Sequence, residues 1–251
     1  MRNFIPLRAF GATAIFALFA AQTAVAMTVQ PVVLDLQTSG RSMNQVITVI
    51  NDSANPLPVE LDIQEFFISD SGVQSTGKDP GDLLIFPPQA LIPAGQTQTF
   101  RVQYVGDAAL DRSKHYHIKV AQLPVSASKV QSRIQVLYNF VVLASVGPQS
   151  ARPALRVLSA NIGTNDAGSP VPVVTLANDS KTYGYVSRGK MSVIGTDQAG
   201  KEVFRQIFTS AELQQSLGMG LIGSGQERQF TLPVVLPSAG RNVAVQFTPG
   251  S

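Results

Sequence analysis

Polar and apolar positions alternate with a period of two along much of the chain, in short runs broken by turn residues. Residues 97–104, Thr-Gln-Thr-Phe-Arg-Val-Gln-Tyr, put Phe100, Val102 and Tyr104 on one face and leave the other polar, the pattern of a half-buried strand. Residues 46–50 are β-branched and run into Asn51-Asp52-Ser53, a turn signal. Further strands are expected over 28–36, 59–67, 83–86 (stopped by Pro87-Pro88), 116–123 and 131–146. A second series follows over 155–161, 171–177, 185–194, 203–207, 228–236 and 242–247. One short helix is predicted, because Thr209-Ser210-Ala211-Glu212 is a capping box and Gly218 stands where a helix would stop.

The two series resemble one another. Val46-Ile47-Thr48-Val49-Ile50-Asn51-Asp52-Ser53 returns as Val173-Val174-Thr175-Leu176-Ala177-Asn178-Asp179-Ser180. Gly95-Gln96-Thr97-Gln98-Thr99-Phe100 returns as Gly225-Gln226-Glu227-Arg228-Gln229-Phe230, and His117-Ile118-Lys119-Val120-Ala121-Gln122 as Asn242-Val243-Ala244-Val245-Gln246. Three matches in the same order at nearly one offset argue for two copies of one domain. The first copy holds about seven strands and no helix. The expected fold is therefore all-β, with two immunoglobulin-like antiparallel β-sandwich domains over residues 27–147 and 152–251. The hinge falls at 147–153, where Gly, Pro and small polar residues collect.

The first 26 residues do not belong to that fold. Arg2 and Arg8 precede an apolar stretch over 9–21, and Ala24-Val25-Ala26 offers a cleavage site, so 1–26 reads as a secretion signal. Losing its two arginines lowers the formal charge from +3 to +1, which removes any argument for nucleic-acid binding from net charge. The chain has no Cys, so export brings no disulfides and the cores must hold without them.

Candidate chemistry is sparse. Gly218, Gly220 and Gly223 spell G-x-G-x-x-G, but a helix precedes and a β-run follows, the reverse of a dinucleotide loop. His115 and His117 share a strand face; with no Cys and no other His they make no structural metal site. No nucleophile, base and orienting group assemble into a hydrolase set, and carboxylates such as Asp62 and Glu65 lie in ordinary strand or loop settings. No enzyme activity, cofactor or metal is expected. Asn51-Asp52-Ser53 and Asn178-Asp179-Ser180 match the glycosylation sequon, but a shared turn explains their equivalent positions better.

Residues 134–146 are the most informative. One face reads Ile134, Val136, Tyr138, Phe140, Val142, Ala144, Val146, apolar throughout, and Leu137, Val141 and Leu143 add apolar residues to the other. Such a strand is either central, or covered by the second domain, or an edge whose surplus is buried by a partner.

With these pieces on the page the chain resembles the periplasmic pilus chaperones of the chaperone–usher systems, the PapD-like family. Residues 83–102, "LLIFPPQALIPAGQTQTFRV", carry the most specific likeness; "VITVINDSANPLPVEL", "HYHIKVAQLPV" and "IQVLYNFVVLASVGP" add to it. The resemblance implies a chaperone that binds pilus or fimbrial subunits by donor-strand complementation and passes them to an outer-membrane usher, in the periplasm. It implies that Ile134, Val136 and Tyr138, continued by Phe140 and Val142, enter the subunit. The family's two basic residues for a subunit's terminal carboxylate fall at Val33 and Leu143, and an ion-pair residue at Gly147, so the anchor is unassigned; Arg41, Arg101, Lys119 and Arg133 are candidates. A structural or adhesive pilus protein, and a sandwich enzyme acting on cell-wall sugars, are the alternatives.

Overall fold

The computed structural model describes residues 27–69, 72–124 and 136–250. Within them the first half of the chain contributes β1 (Thr28–Gln30), β2 (Val33–Gln37), β3 (Asn44–Ile50), β4 (Leu57–Ser69), β5 (Gly72–Ser75), β6 (Leu83–Phe86), β7 (Gln89–Ile92), β8 (Thr97–Tyr104), β9 (Lys114–Gln122) and β10 (Asn139–Gly147). The second half contributes β11 (Leu155–Thr164), β12 (Pro170–Asn178), β13 (Gly184–Tyr185), β14 (Lys190–Thr196), β15 (Glu202–Phe208), helix α1 (Ser210–Leu217), β16 (Leu221–Ile222), β17 (Glu227–Thr231) and β18 (Asn242–Thr248). No helix among the described residues is long and apolar enough to cross a membrane.

The first half folds as two facing sheets. One has the order β1-β3-β8-β6; the other has β2-β10-β9-β4-β5, with β7 also on β4. Their inner faces meet in one core that includes Leu34, Ile47, Phe100, Tyr104, Tyr116, Ile118 and Val142. The N-terminal segment, expected as one strand, is two. β1 pairs with β3 in one sheet, and after Pro31-Val32 the chain crosses to pair β2 with β10 in the other. The second half packs the sheet β11-β12-β17 against β15-β14-β18 around Leu176, Met191, Val193, Ile222 and Phe230.

The repeat is a repeat of structure. Ile50 pairs with Thr97 in the first half, and the matching Ala177 pairs with Glu227 in the second. Asn51 N–H donates to Gln96 O, and Asn178 N–H to Gln226 O, both at 2.9 Å. Gly95 and Gly225, which open the matching turns, both have positive φ, at 68° and 64°. The sequon-like turns serve the fold: Asn51 Nδ2 donates to Asn55 O, Ile92 O and Pro93 O, and Asn178 Nδ2 donates to Thr182 O, Ile222 O and Gly223 O. Both side chains are buried.

Several expected elements need correction. Residues 136–138 are not strand, and the expected stretch 131–135 lies outside the described residues. The run expected at 185–194 breaks into β13, a 3₁₀ turn at Val186–Arg188 and β14. The run at 228–236 ends at Thr231, just before the Leu232-Pro233 step that removes a ladder donor. Helix α1 forms as its capping box predicts: Thr209 Oγ1 accepts from Glu212 N–H, and the Glu212 side chain accepts from Thr209 N–H. The glycine series that follows α1 is a loop, with Gly220 at φ 61° against Val186, where a Cβ would come within 2.9 Å of the valine.

Candidate functional site: an open strand edge beside a cleft

Strand β10 has two neighbours along part of its length and one along the rest. β9 pairs with it from Asn139 to Val146. β2 pairs with it, in parallel, only from Leu143 to Gly147. Leu143 N–H donates to Val32 O at 2.9 Å, so odd-numbered backbone groups of β10 point to the β2 side. The N–H and C=O of Asn139 and Val141 therefore face an unpaired edge.

The side chains alternate in step. Val142, Ala144 and Val146 are wholly buried in the first core. Phe140 and Tyr138 follow on the same face, half-buried and packed against the end of that core. Val136 is next and is 63% exposed. One apolar row thus begins inside its own sandwich and runs out of it. Of the expected partner-binding residues, Val142 is corrected to a core position: it has no exposed surface to offer. Ile134 lies outside the described residues. Val136, Tyr138 and Phe140 stand on the projecting part.

On the odd-numbered face, the alternative of cover by the second half of the chain applies at Leu143. Leu143 and Val33, paired across β10 and β2, pack with Phe66, Ile68, Tyr183, Tyr185 and Leu221, a cluster shared by the two halves of the chain. Much of the surplus apolar character of β10 thus answers to the second half of the chain. Val141, at 53% exposed, and Leu137 remain open.

Polar contacts across the same junction hold β2 in place. Asp35 Oδ1 accepts from Tyr183 OH at 2.9 Å and Tyr185 OH at 3.1 Å, and its Oδ2 pairs with Arg188. Tyr183 OH lies 3.3 Å from Ser145 O of β10. Burial and the Asp35 charge push both tyrosine pKa values up, keeping the hydroxyls protonated as donors. Lys181 pairs with Asp111 at 2.5 Å, and Gln226 Nε2 donates to Ile68 O at 2.9 Å. Because β2 ends the open edge, these contacts also fix where that edge stops.

His115 and His117 belong to this junction. His115 is buried, its Nδ1 is 2.9 Å from Ser145 Oγ, and its ring meets Phe66 and the edge of Tyr183. His117 stacks on Phe66 with ring centroids 4.1 Å apart. Burial lowers the His115 pKa to about 4, so the folded chain keeps it neutral. The unfolded chain takes up a proton below its ordinary value of 6.5 and the folded one does not. Stability therefore falls as pH drops from about 6.5 towards about 4, by up to about 3 kcal/mol from this residue. Urea melts at pH 7 and pH 4.5 measure the loss; His115→Phe shrinks it.

Two cavities flank the junction, each of about 340 Å³. One opens beside Asp35, Tyr185, Arg188 and the hinge residues Arg152 and Pro153. The other opens beside the edge of β10, lined by Phe66, His117, Val141, Leu143, Leu221 and Arg228 among others. Of the candidate anchors named from the sequence, Arg41, Arg101 and Lys119 line neither cavity. Arg101 is bound to Asn44 on the outer face of the other sheet, and Arg133 lies outside the described residues. Arg228, not singled out from sequence, lines the second. Its signal was a break in the repeat, where Arg228 stands opposite Gln98. Among the described residues no group of His, Asp or Glu could hold a metal ion.

The two sandwiches thus bring together a projecting apolar row, a free backbone edge and a cleft at its base. Residues 26–142 match the model of the pili and flagellar-assembly chaperones, PapD N-terminal domain. The first half of the chain is thus similar to the N-terminal domain of these chaperones. Among solved structures, the YadV chaperone is similar at 13% identity and TM-score 0.53, covering 89% of this chain and 92% of its own. The Salmonella enterica SafA pilin–SafB chaperone complex contains a chain similar at 14% identity and TM-score 0.52, covering 95% and 98%. The CsuC–CsuE chaperone–tip subunit complex of Acinetobacter baumannii contains one at 11% identity and TM-score 0.51, covering 89% and 98%. At these identities the likeness is one of fold. No curated protein sequence is significantly similar.

Proposed function

We propose that the chain is a periplasmic chaperone that holds a pilus or fimbrial subunit by lending it the open edge of β10 and the apolar row Ile134, Val136, Tyr138 and Phe140, then yields it to an outer-membrane usher. The observation that carries this reading is the row itself, which leaves its own core at Val142 and continues into solvent beside unpaired backbone. A long apolar edge is ordinarily avoided because it pairs with other chains. Here pairing is the activity, a β-augmentation in which backbone bonds give affinity and alternate side chains fill a groove. Each such side chain, fully buried, contributes about 1.5–3 kcal/mol before the costs of association. The activity is binding and not catalysis.

The reading includes removal of residues 1–26 as a secretion signal and a division into sandwiches at 27–147 and 152–251. Each half has its own core cluster, which supports that division. A subunit that itself lacked a strand would leave its core open, whereas the first core here is enclosed by two sheets, so a structural pilus role is not favoured. Producing the chain with a pilus subunit from its own host tests the function. A soluble one-to-one complex isolated from periplasm is expected; a subunit that stays soluble and monomeric without the chain would refute it.

A further inference from the structure

One row of side chains runs across the first half where the second half covers it. Asp35 on β2 lies opposite Ser145 on β10, Ser145 opposite His115 on β9, and His115 opposite Phe66 on β4. Residues paired in this way share a face of the sheet. Tyr183 of the second half sets its ring edge against His115 and its hydroxyl against Asp35 and Ser145 O. A Cβ added at Gly223 would lie 3.4 Å from His115 Nε2, so the loop after β16 closes over the far side of the imidazole. His115 is buried at the centre of this seat.

The seat suits a neutral ring and not an imidazolium. A protonated ring donates from both nitrogens. Nδ1 has Ser145 Oγ at 2.9 Å, but Nε2 has no hydrogen-bond partner among the described residues. The surrounding charges do not answer it either. Asp35, at the end of the row, is already held by Tyr183, Tyr185 and Arg188. On β9, Lys114 alternates to the opposite face, where it pairs with Asp82, and on β4 Glu65 alternates away from Phe66. β10 brings the uncharged Ser145. From the second half come two cations, Arg188 on Asp35 and Arg228 in the cleft that His117 also lines. Asp111, at the rim, is paired with Lys181 and Arg112.

We propose that His115 is a positioning residue that works as a proton-operated latch: neutral, it lets the second half seat on the first; protonated, it parts them, and a partner strand held beside the cleft leaves faster. The last clause rests on the edge pairing proposed above. It follows because the cleft has one wall from each half, Phe66 and Leu143 from the first and Leu221 and Arg228 from the second. Closed, burial keeps His115 from taking a proton until about pH 4; opened, it meets water and protonates below its ordinary value of 6.5. Opening is therefore hardest above 6.5, grows easier as the pH falls through that value, and is about 30-fold more favourable at pH 5. His117, less deeply buried and stacked on Phe66, adds a smaller share of the same sign. Ordinary carboxylates keep their charge over this range.

Two amides report the opening. Ser113 N–H donates across the junction to Lys181 O at 3.1 Å, and Ile118 N–H, deep in the first core, follows global unfolding. Their hydrogen exchange is measured on the purified chain at pH 7 and pH 5 and corrected for the intrinsic effect of pH on exchange. In the wild type Ser113 should exchange faster than Ile118 at both values, and its protection should fall about 30-fold between them. His115→Phe, which keeps an uncharged ring between Phe66 and Tyr183, should abolish most of that fall; His117→Gln should keep most of it. His115→Gln replaces the Phe variant if that one does not fold. Equal protection of Ser113 and Ile118 in the wild type, or a fall that persists without His115, overturns the latch. Dissociation of a complex with a pilus subunit from the same host, followed at the two pH values, tests the last clause. Its rate should rise by about the same factor in the wild type and stay level in the His115 variant. A Ser113 response without that rise overturns the link to the partner and leaves the latch standing. Absence of any complex at pH 7 refutes the proposed function, and the last clause with it.

Discussion

Val136→Asp together with Tyr138→Asp should reduce capture of a pilus subunit at least about 100-fold while leaving the free chain as stable as the wild type. Val136 is 63% exposed and outside any strand, and Tyr138 only touches the end of the core, so the chaperone's own sandwich loses little. In the complex the same positions are proposed to lie in an apolar groove. Each substitution removes about 1.5–3 kcal/mol of burial and adds the several kcal/mol needed to desolvate a carboxylate that has no partner. Ile207→Asp, at a 56% exposed position on β15, is the control and should leave capture unchanged. Titration of purified subunit–chaperone mixtures, with urea melts of the chaperone alone, measures both quantities. Capture at wild-type strength by the double variant would show that the row is not the contact.

The second large effect concerns the turns that the repeat shares. Asn178→Ala should destabilise the chain by about 3 kcal/mol. Its Nδ2 satisfies the carbonyls of Thr182, Ile222 and Gly223 at 2.7–3.1 Å, and its Oδ1 accepts from Ser180 N–H and Oγ. Truncation leaves several of these groups buried without partners, at about 1–3 kcal/mol each before relaxation. Asn178→Asp should be comparably harmful, because a carboxylate placed against three carbonyls replaces donors with negative charge. A variant whose melting midpoint matches the wild type would show that the turn holds without this side chain.

Those asparagines also show what the sequence could and could not reveal. The turn signal after residues 46–50 and its copy after 171–177 were readable because Asn, Asp and Ser satisfy backbone locally. Strands β6 and β8 were readable to the residue, since Pro87 ends one and Tyr104 completes the alternation of the other. The crossing at Pro31-Val32 was not, because Val29, Val32 and Leu34 read as one apolar run whichever sheet receives it. β5, β7, β13 and β16, at two to four residues, are too short to show a period. The row 136–140 was visible as surplus apolar character, but its limits were not. Only the packing separates Val142, inside the core, from Val136, outside it, and only the second half of the chain explains Leu143. Arg228 was hidden because its environment is made by residues far away in sequence, Phe66, Val141 and Leu143.

Amide hydrogen exchange along β10, measured on the free chain and on its complex with a pilus subunit, addresses the edge most directly. Asn139 and Val141 N–H should exchange rapidly in the free chain, while Phe140 and Val142, bonded towards β9, exchange slowly. In the complex Asn139 and Val141 should become protected as strongly as their neighbours. Protection of both amides in the free monomer, or their continued rapid exchange once the subunit is bound, would contradict the claim that a partner strand completes this side of β10.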